Sequence, residues 1–439
     1  MKGETVPYPE HFQACNPGLA PKTPGLRICV EPTEGRQDMK IKLSLMICII
    51  LIAGLIIVET AGAIPAFARR YRISCSTCHA PVPKLKPYGD DFAGAGFILK
   101  EEEQERDYVS AGDDLLWLNR TFPVSVRFDA YAVVDQSDDV KSDLQTPWGL
   151  KLMSGGTLYK NIGYYFYFYM SERGEVAGIE DAYVHFDNVF GSSLDVMVGQ
   201  FQTSDPLMKR ELRLTFEDYM IYKQNFGESV TNLAYDRGVM LVYGIEKTGT
   251  DLVAFVVNGN GKVEADDNHK FDSDGCKNVG FRISQGIGDH FSIGGYYYLG
   301  REKGLGTYYQ EWADAWPRQT NTFTYWGPDF NLNLGKIELT GQYLMREDDN
   351  LLLTPENPEV LKGYGVVLEA IFAPRLDRSR YYITALYNRI DHDLNAYDYE
   401  TATLSATWLL ARNLRLVAEY TRDLERKQNR MAVGFVSAF

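Results

Sequence analysis

From residue 122 to residue 439 one pattern repeats along the chain. Stretches of about ten residues alternate apolar side chains with polar or small ones, and turn residues separate them. A strand presents successive side chains to opposite faces, so each stretch carries one apolar and one polar face. In the first, Val124, Val126, Phe128, Ala130 and Ala132 take one face, and Ser125, Arg127, Asp129 and Tyr131 take the other. No stretch after residue 63 is a continuous apolar run of the length that a membrane helix needs. If such a chain crosses lipid, it must close into a barrel, because an open sheet edge would leave backbone groups unpaired there.

Sixteen strands are predicted, at 123–134, 147–159, 163–171, 179–187, 193–202, 236–245, 250–258, 276–284, 291–300, 319–332, 336–346, 361–373, 379–389, 399–410, 414–422 and 429–439. The connections near 160–162, 188–192, 246–249, 285–290, 333–335 and 411–413 are short. Those near 135–146, 203–235, 259–275, 301–318, 347–360 and 423–428 are mostly longer. Short periplasmic turns and longer external loops are the asymmetry of an outer-membrane barrel. A soluble all-β sandwich or barrel is the competing reading. Sixteen uninterrupted strands with 29 Tyr and 22 Phe weigh against it, because amphipathic rings suit the two membrane interfaces. Within the third external loop, 206–220 has helical spacing. The expectation is a helix that either folds into the lumen, as the third loop of general porins does, or lies on the surface.

The N-terminal part reads differently. Lys40 and Lys42 precede an apolar run from Leu45 to Val58, and Ala61-Gly62-Ala63 follows as a small-residue cleavage site. This is a signal peptide over 39–63, preceded by an extension, 1–38, that reads as a start called too early. An uncleaved anchor is the alternative. The two segments hold six Lys/Arg and six Asp/Glu, so their removal leaves the net charge at −14. An acidic protein repels nucleic acid and attracts cations. Acidic residues gather in the external loops: Asp135, Asp138 and Asp139; Glu264, Asp266, Asp267, Asp272 and Asp274; Glu347, Asp348 and Asp349. They could concentrate or bind a hard cation, or simply form a solvated surface.

Twelve residues past the cleavage site the chain reads Cys75-Ser-Thr-Cys78-His79. Cys-x-x-Cys-His is the attachment pattern for a c-type haem: the thiols add to the vinyl groups and the adjacent His binds iron as proximal ligand. A thioredoxin-like pair would need a βαβ context, which is missing here. Cys276 stands alone, a small residue at a strand start, so no disulfide framework is expected. Residues 80–152 contain no His and no Met, so the segment 64–120 lacks the usual sixth iron ligand on its C-terminal side. The site is therefore open, or the barrel at 121–439 supplies the ligand. Counting faces turns His185 inward near the periplasmic mouth, with Met197 opening the next strand. Met153 also faces inward but deeper. For each, an ordinary lumen residue is the competing reading. A segment this short builds little core alone, so it is expected to plug the lumen.

The run Ile64-Pro-Ala-Phe-Ala-Arg-Arg-Tyr-Arg-Ile-Ser-Cys75-Ser-Thr-Cys78-His79, with Pro83-Lys-Leu-Lys-Pro-Tyr-Gly89 and Phe92-Ala-Gly-Ala-Gly-Phe97, resembles the N-terminus of fused monohaem cytochrome–porins. This is the family of outer-membrane iron oxidases, with related barrel cytochromes in metal-reducing bacteria. The terminal Phe439 likewise resembles the assembly signal of bacterial outer-membrane barrels. The motif match covers 64–97, and the barrel matches by pattern. The resemblance implies an all-β transmembrane antiparallel barrel of about sixteen strands in the bacterial outer membrane, preceded by a short α/coil haem segment. It also implies one covalent heme c, and electron transfer between an external metal such as iron and a periplasmic c-type cytochrome. The alternative is a diffusion porin for a small solute with a haem-bearing plug.

Overall fold

The computed structural model describes residues 66–99, 108–109, 112, 115–116, 118–119, 122–136, 141–204, 209–272, 274–312 and 316–439. The extension and signal peptide at 1–63 lie outside the described residues.

Sixteen antiparallel strands form a closed barrel. They are β1 (Val124–Asp135), β2 (Ser142–Tyr159), β3 (Ile162–Glu172), β4 (Gly178–Val189), β5 (Leu194–Phe201), β6 (Asp236–Ile245), β7 (Thr250–Val257), β8 (Asn278–Ile287), β9 (Phe291–Gly304), β10 (Gln319–Asn333), β11 (Ile337–Asp348), β12 (Leu361–Phe372), β13 (Tyr381–His392), β14 (Tyr399–Ala411), β15 (Leu414–Asp423) and β16 (Gln428–Ala438). Every strand read from alternation is present. Each pairs with its sequence neighbour, and β16 pairs with β1 to close the ring. At that seam Val126 and Phe439 exchange two backbone hydrogen bonds of 2.7 and 2.8 Å. A two-residue ribbon pairs Tyr108–Val109 with Leu118–Asn119 ahead of the barrel.

The outer surface is an apolar band. Val239, Leu241, Phe281, Ile283, Leu299 and Ile383 are exposed, as a lipid-facing row must be. Their strand neighbours point into the lumen and are buried there: Asp236, Arg282, Gln342, Arg346, Glu369 and Asn388. Tyr159, Tyr243, Phe372, Tyr381 and Trp408 stand exposed toward the short-turn end, where an aromatic girdle belongs.

Two pieces of chain fill the lumen. The first is the third loop, between β5 and β6. Helical spacing predicted a helix over 206–220. Instead the described part of the loop, from Lys209 on, holds only a 3-10 turn at Arg210–Leu212 and one α-turn at Met220–Lys223. The reason is that many of its polar groups are taken by the barrel wall, where a continuous helix could not deliver them. Glu211 takes Lys151 of β2 at 2.5 Å and the hydroxyl of Tyr169 of β3 at 2.8 Å. The backbone N–H groups of Phe216 and Glu217 donate to Glu419 of β15 at 2.6 and 2.8 Å. The Tyr219 hydroxyl donates to Glu369 of β12 at 2.7 Å, and Asn388 of β13 donates to the Asp218 carbonyl at 3.0 Å. The loop therefore runs across the lumen, as the porin-like alternative expected. Its apolar side chains, Ile221, Tyr222, Phe226 and Leu233, pack with Phe255, Tyr298 and Phe323 into the largest buried cluster of the protein.

Asp218 is the loop's electrostatic centre. Burial alone would raise its pKa. The Arg210 and Arg213 guanidiniums outweigh burial and hold the carboxyl well below its ordinary range. Arg210 grips it through two hydrogen bonds of 2.9 and 3.2 Å.

The second piece is the segment 66–99, whose contacts reach across the short-turn half of the barrel. On one side the Phe97 ring packs tilted against Tyr165 of β3, centroids 5.0 Å apart, and an added Cβ at Gly163 would lie 2.1 Å from the Gly96 carbonyl. On the other side Lys84 pairs with Glu338 of β11 at 2.8 Å and with Glu369 of β12 at 3.4 Å. There too the Tyr382 hydroxyl of β13 donates to the Val82 carbonyl at 2.7 Å. A lysine desolvated in a lumen needs such carboxylate partners.

Candidate functional site

The segment 66–99 folds as three short helices, α1 (Ala66–Tyr71), α2 (Cys75–Cys78) and α3 (Pro87–Gly94). Helix α2 is one turn. Ser74 caps it by accepting from the Ser76 N–H at 3.3 Å, and the His79 N–H closes it on the Cys75 carbonyl at 2.9 Å. Residues three apart share a helix face, so the two thiols lie side by side and His79 follows directly. The chain then doubles back. His79 bridges Leu85, and the Ala80 N–H donates to the Lys84 carbonyl at 3.1 Å. This hairpin delivers the Pro83 carbonyl to Nδ1 of His79 at 2.5 Å. With Nδ1 held by a backbone acceptor, Nε2 is the nitrogen left for a metal, and the ring's orientation is fixed.

Helix α3 packs against α2 through a glycine. A Cβ at Gly89 would sit 2.3 Å from the Cys78 carbonyl, so only glycine permits the approach, and the Lys86 N–H binds that same carbonyl at 2.8 Å. Phe67, Phe92 and Phe97 form a small aromatic core with centroid separations of 4.9 to 5.7 Å. Tyr71 adds an edge contact to Phe92 at 5.6 Å.

Cys75, Cys78 and His79 open on a cavity of about 280 Å³ between this segment and the wall. Its apolar lining includes Phe92 and Phe97 from the segment and Met153, Tyr165 and Tyr167 from the barrel. Lys151 and Glu211 border its inner end. Burial pushes both thiols above their ordinary pKa, Cys75 further adding to the effect at Cys78. It pushes the His79 imidazole below its ordinary value, against the pull of the Pro83 carbonyl. At neutral pH the site therefore holds neutral thiols and a neutral imidazole, and a neutral imidazole is the form that ligates metal.

The structure separates the three barrel residues weighed as ligands. Met153 lines the cavity. His185 does face inward and is 3 % exposed, but it does not line the cavity. Its ring lies instead against Gly96, where an added Cβ would meet it at 3.0 Å. Met197 sits directly opposite His185 in the β4–β5 register and packs toward the large lumen cluster. The acidic loops show a local use for their carboxylates. Asp266 accepts the N–H groups of Asn268 and Lys270 at 2.9 and 2.8 Å, and Asp272 accepts those of Asp274 and Gly275 at 3.0 and 2.7 Å. Cys276 is buried at the entry to β8. Sequence reasoning missed the gathering of Asp187 with His185 and Asp195, since it depends on which residues face one another across two strands.

No family profile matches the chain, and no curated protein matches it. Solved structures do. The chain is similar to OmpTdeltaL8, a loop L8 deletion mutant of the outer membrane protein OmpT of Vibrio cholerae, with a TM-score of 0.52 at 14 % identity, covering 73 % of this chain and 99 % of that one. It is also similar to an anion-selective porin from Comamonas acidovorans, with a TM-score of 0.53 at 13 % identity, again covering 73 % and 99 %. At such identities the likeness concerns the fold alone, a closed antiparallel β-barrel like that of these outer-membrane proteins.

Proposed function

We propose that the protein is an outer-membrane electron conduit. On this reading one c-type haem is carried on Cys75, Cys78 and His79, and electrons pass between external iron, Fe(II)/Fe(III), and a periplasmic c-type cytochrome. One observation carries the reading: the CxxCH turn opens on an apolar cavity inside a porin-like barrel, with His79 already oriented by the Pro83 carbonyl. The residues fit the group. Two adjacent thiols would answer two vinyl groups, Nε2 of His79 is left for the iron, and Phe92, Phe97 and Tyr165 give the cavity an apolar lining that would exclude water. When bound, a haem supplies one-electron transfer. Met153 is the barrel residue placed to offer a thioether from the same cavity. The short-turn end, where the segment lies, corresponds to the periplasmic side of such barrels. On this reading the third loop, tied across the lumen to β2, β12, β13 and β15, limits solute passage while charge crosses.

Proteoliposomes enclosing a soluble c-type cytochrome test this. External Fe²⁺ should reduce the enclosed cytochrome in the presence of the protein, and not with the Cys75→Ala/Cys78→Ala variant. Equal rates for the two would remove the reading.

A second reading, a diffusion porin with a haem-bearing plug, draws on the porin neighbours. It also draws on a cavity of about 510 Å³ beside the segment, lined in part by Lys84, Lys86, Lys209, Glu338 and Asp377. Solute-driven swelling of the same liposomes without cytochrome reduction would favour it.

A further inference from the structure

We propose that His185, Asp187 and Asp195 form a binding site for one divalent first-row transition metal, separate from the cavity of Cys75, Cys78 and His79. The inference does not depend on the conduit reading. It starts from the register. His185 and Asp187 are two apart on β4 and share its inner face. Across the β4–β5 ladder His185 faces Met197, and Asp195, two residues before Met197, lies on that same face. One potential ligand atom from each of His185, Asp187 and Asp195 falls within 4.8 Å of the other two. Among the described residues this is the one such group of three.

The second observation is the imidazole itself. His185 is 3 % exposed, and neither ring nitrogen has a partner in hydrogen-bond geometry. The Gly94 carbonyl faces the ring without reaching that geometry. A buried imidazole with both nitrogens unsatisfied costs on the order of 1–3 kcal/mol for each lost bond. Such a group needs an explanation, and an ion between it and the two carboxylates removes the cost. The carboxylates are already held: Asn188 donates its backbone N–H to Asp195 at 2.8 Å and its side-chain amide to Asp187 at 2.6 Å. That is the outer layer of hydrogen bonds that orients metal ligands.

Chemistry selects the ion. Two carboxylates and a neutral imidazole balance a charge of about +2, and the imidazole favours Zn²⁺, Fe²⁺ or Mn²⁺ over the all-oxygen preference of Ca²⁺ and Mg²⁺. Ligand atoms ~2.1 Å from one ion lie at most ~4.2 Å apart, so closure on an ion needs side-chain shifts of under about 1 Å. The site sits beneath the Gly94–Gly96 turn of the segment, so the ion would fix the ring on which that turn rests.

The test is calorimetric titration of the purified haem-loaded protein in detergent with Zn²⁺ after chelator treatment. One high-affinity equivalent per chain is expected. Asp187→Asn, Asp195→Asn and His185→Ala should each weaken it by at least about tenfold, with the haem absorbance spectrum unchanged in His185→Ala. Absence of a high-affinity equivalent overturns the proposal. So do variants that keep a β-barrel circular dichroism spectrum and bind Zn²⁺ equally, which would assign the uptake to the acidic loops. An altered haem spectrum in His185→Ala also overturns it, since the imidazole would then belong to the haem iron.

Discussion

Gly163→Ala is the sharpest probe of how the segment 66–99 is seated. The β3 backbone at Gly163 lies against the Gly96 peptide, and the new Cβ would stand 2.1 Å from its carbonyl oxygen and 2.9 Å from its carbonyl carbon. A comfortable carbon–oxygen approach is ~3.3 Å, so the turn must retreat by about 1.2 Å. Neither contact can yield by side-chain rotation, because both atoms are backbone. The retreat would pull Phe97 from its 5.0 Å tilted contact with Tyr165 and Gly96 from His185. Overpacking of this kind costs about 1–3 kcal/mol. If the strain falls on the seated segment, its opening equilibrium rises by a factor of about 5 to 150, at tenfold per ~1.4 kcal/mol. Hydrogen–deuterium exchange of the detergent-solubilised protein reads this directly. Amides of α3 and the following turn, such as Ala95 donating to Asp91 at 2.9 Å, should exchange faster by that factor, while the β9–β10 amides stay unchanged. Gly295→Ala is the control, because a Cβ there meets nothing within 4 Å. Unchanged exchange in Gly163→Ala, matching Gly295→Ala, would refute the seating of the segment against β3.

Other outcomes follow from the same geometry. Met153→Ala should shift the haem absorbance spectrum and His185→Ala should not; the reverse pattern would place the sixth ligand on β4. Asp218→Asn removes the carboxylate that balances Arg210 and Arg213, at a cost on the order of 3–5 kcal/mol for a broken buried pair. Single-channel conductance in planar bilayers should therefore rise as the third loop loosens, and an unchanged conductance would count against the loop as a constriction. The pH dependence has a definite sign. The folded-state pKa of Asp218 is depressed, so its contribution is fully present above the unfolded value near ~4 and is lost as pH falls through the lower folded value. Conductance should stay constant from neutral pH down to ~4 and rise only below it; a rise between pH 7 and 5 would contradict this. Gly89→Ala should abolish covalent haem loading, since its Cβ would strike the Cys78 carbonyl; haem staining after denaturing electrophoresis reports it.

The barrel was legible because its signal is periodic and local. Each strand announces its two faces through residues such as Val239, Leu241 and Tyr243, exposed, between inward neighbours. The CxxCH turn was legible for the same reason, its chemistry being contained in five consecutive residues. The third loop was read only in part. Its spacing of Leu212, Phe216 and Tyr219 mimics a helix, yet Glu211, Glu217 and Asp218 take partners from β2, β14 and the loop itself, and those partners are some 8 to 184 residues away in sequence. Which of Met153, His185 and Met197 borders the cavity was equally hidden. All three can face inward by alternation, and only the depth at which α2 is held distinguishes them.

The seam between β1 and β16 imposes an order on assembly. Cys75 and Cys78 precede β1 in the chain, and β1 gains its second neighbour only when the stretch ending at Phe439 zips onto Val126. Once that happens the half-buried thiols face a cavity walled in part by the barrel, with Met153, Tyr165 and Ala438 in its lining. Bulky machinery therefore reaches these cysteines more freely while the cylinder is still an open sheet, and a mutant that slows its last strand gains time for modification rather than losing it.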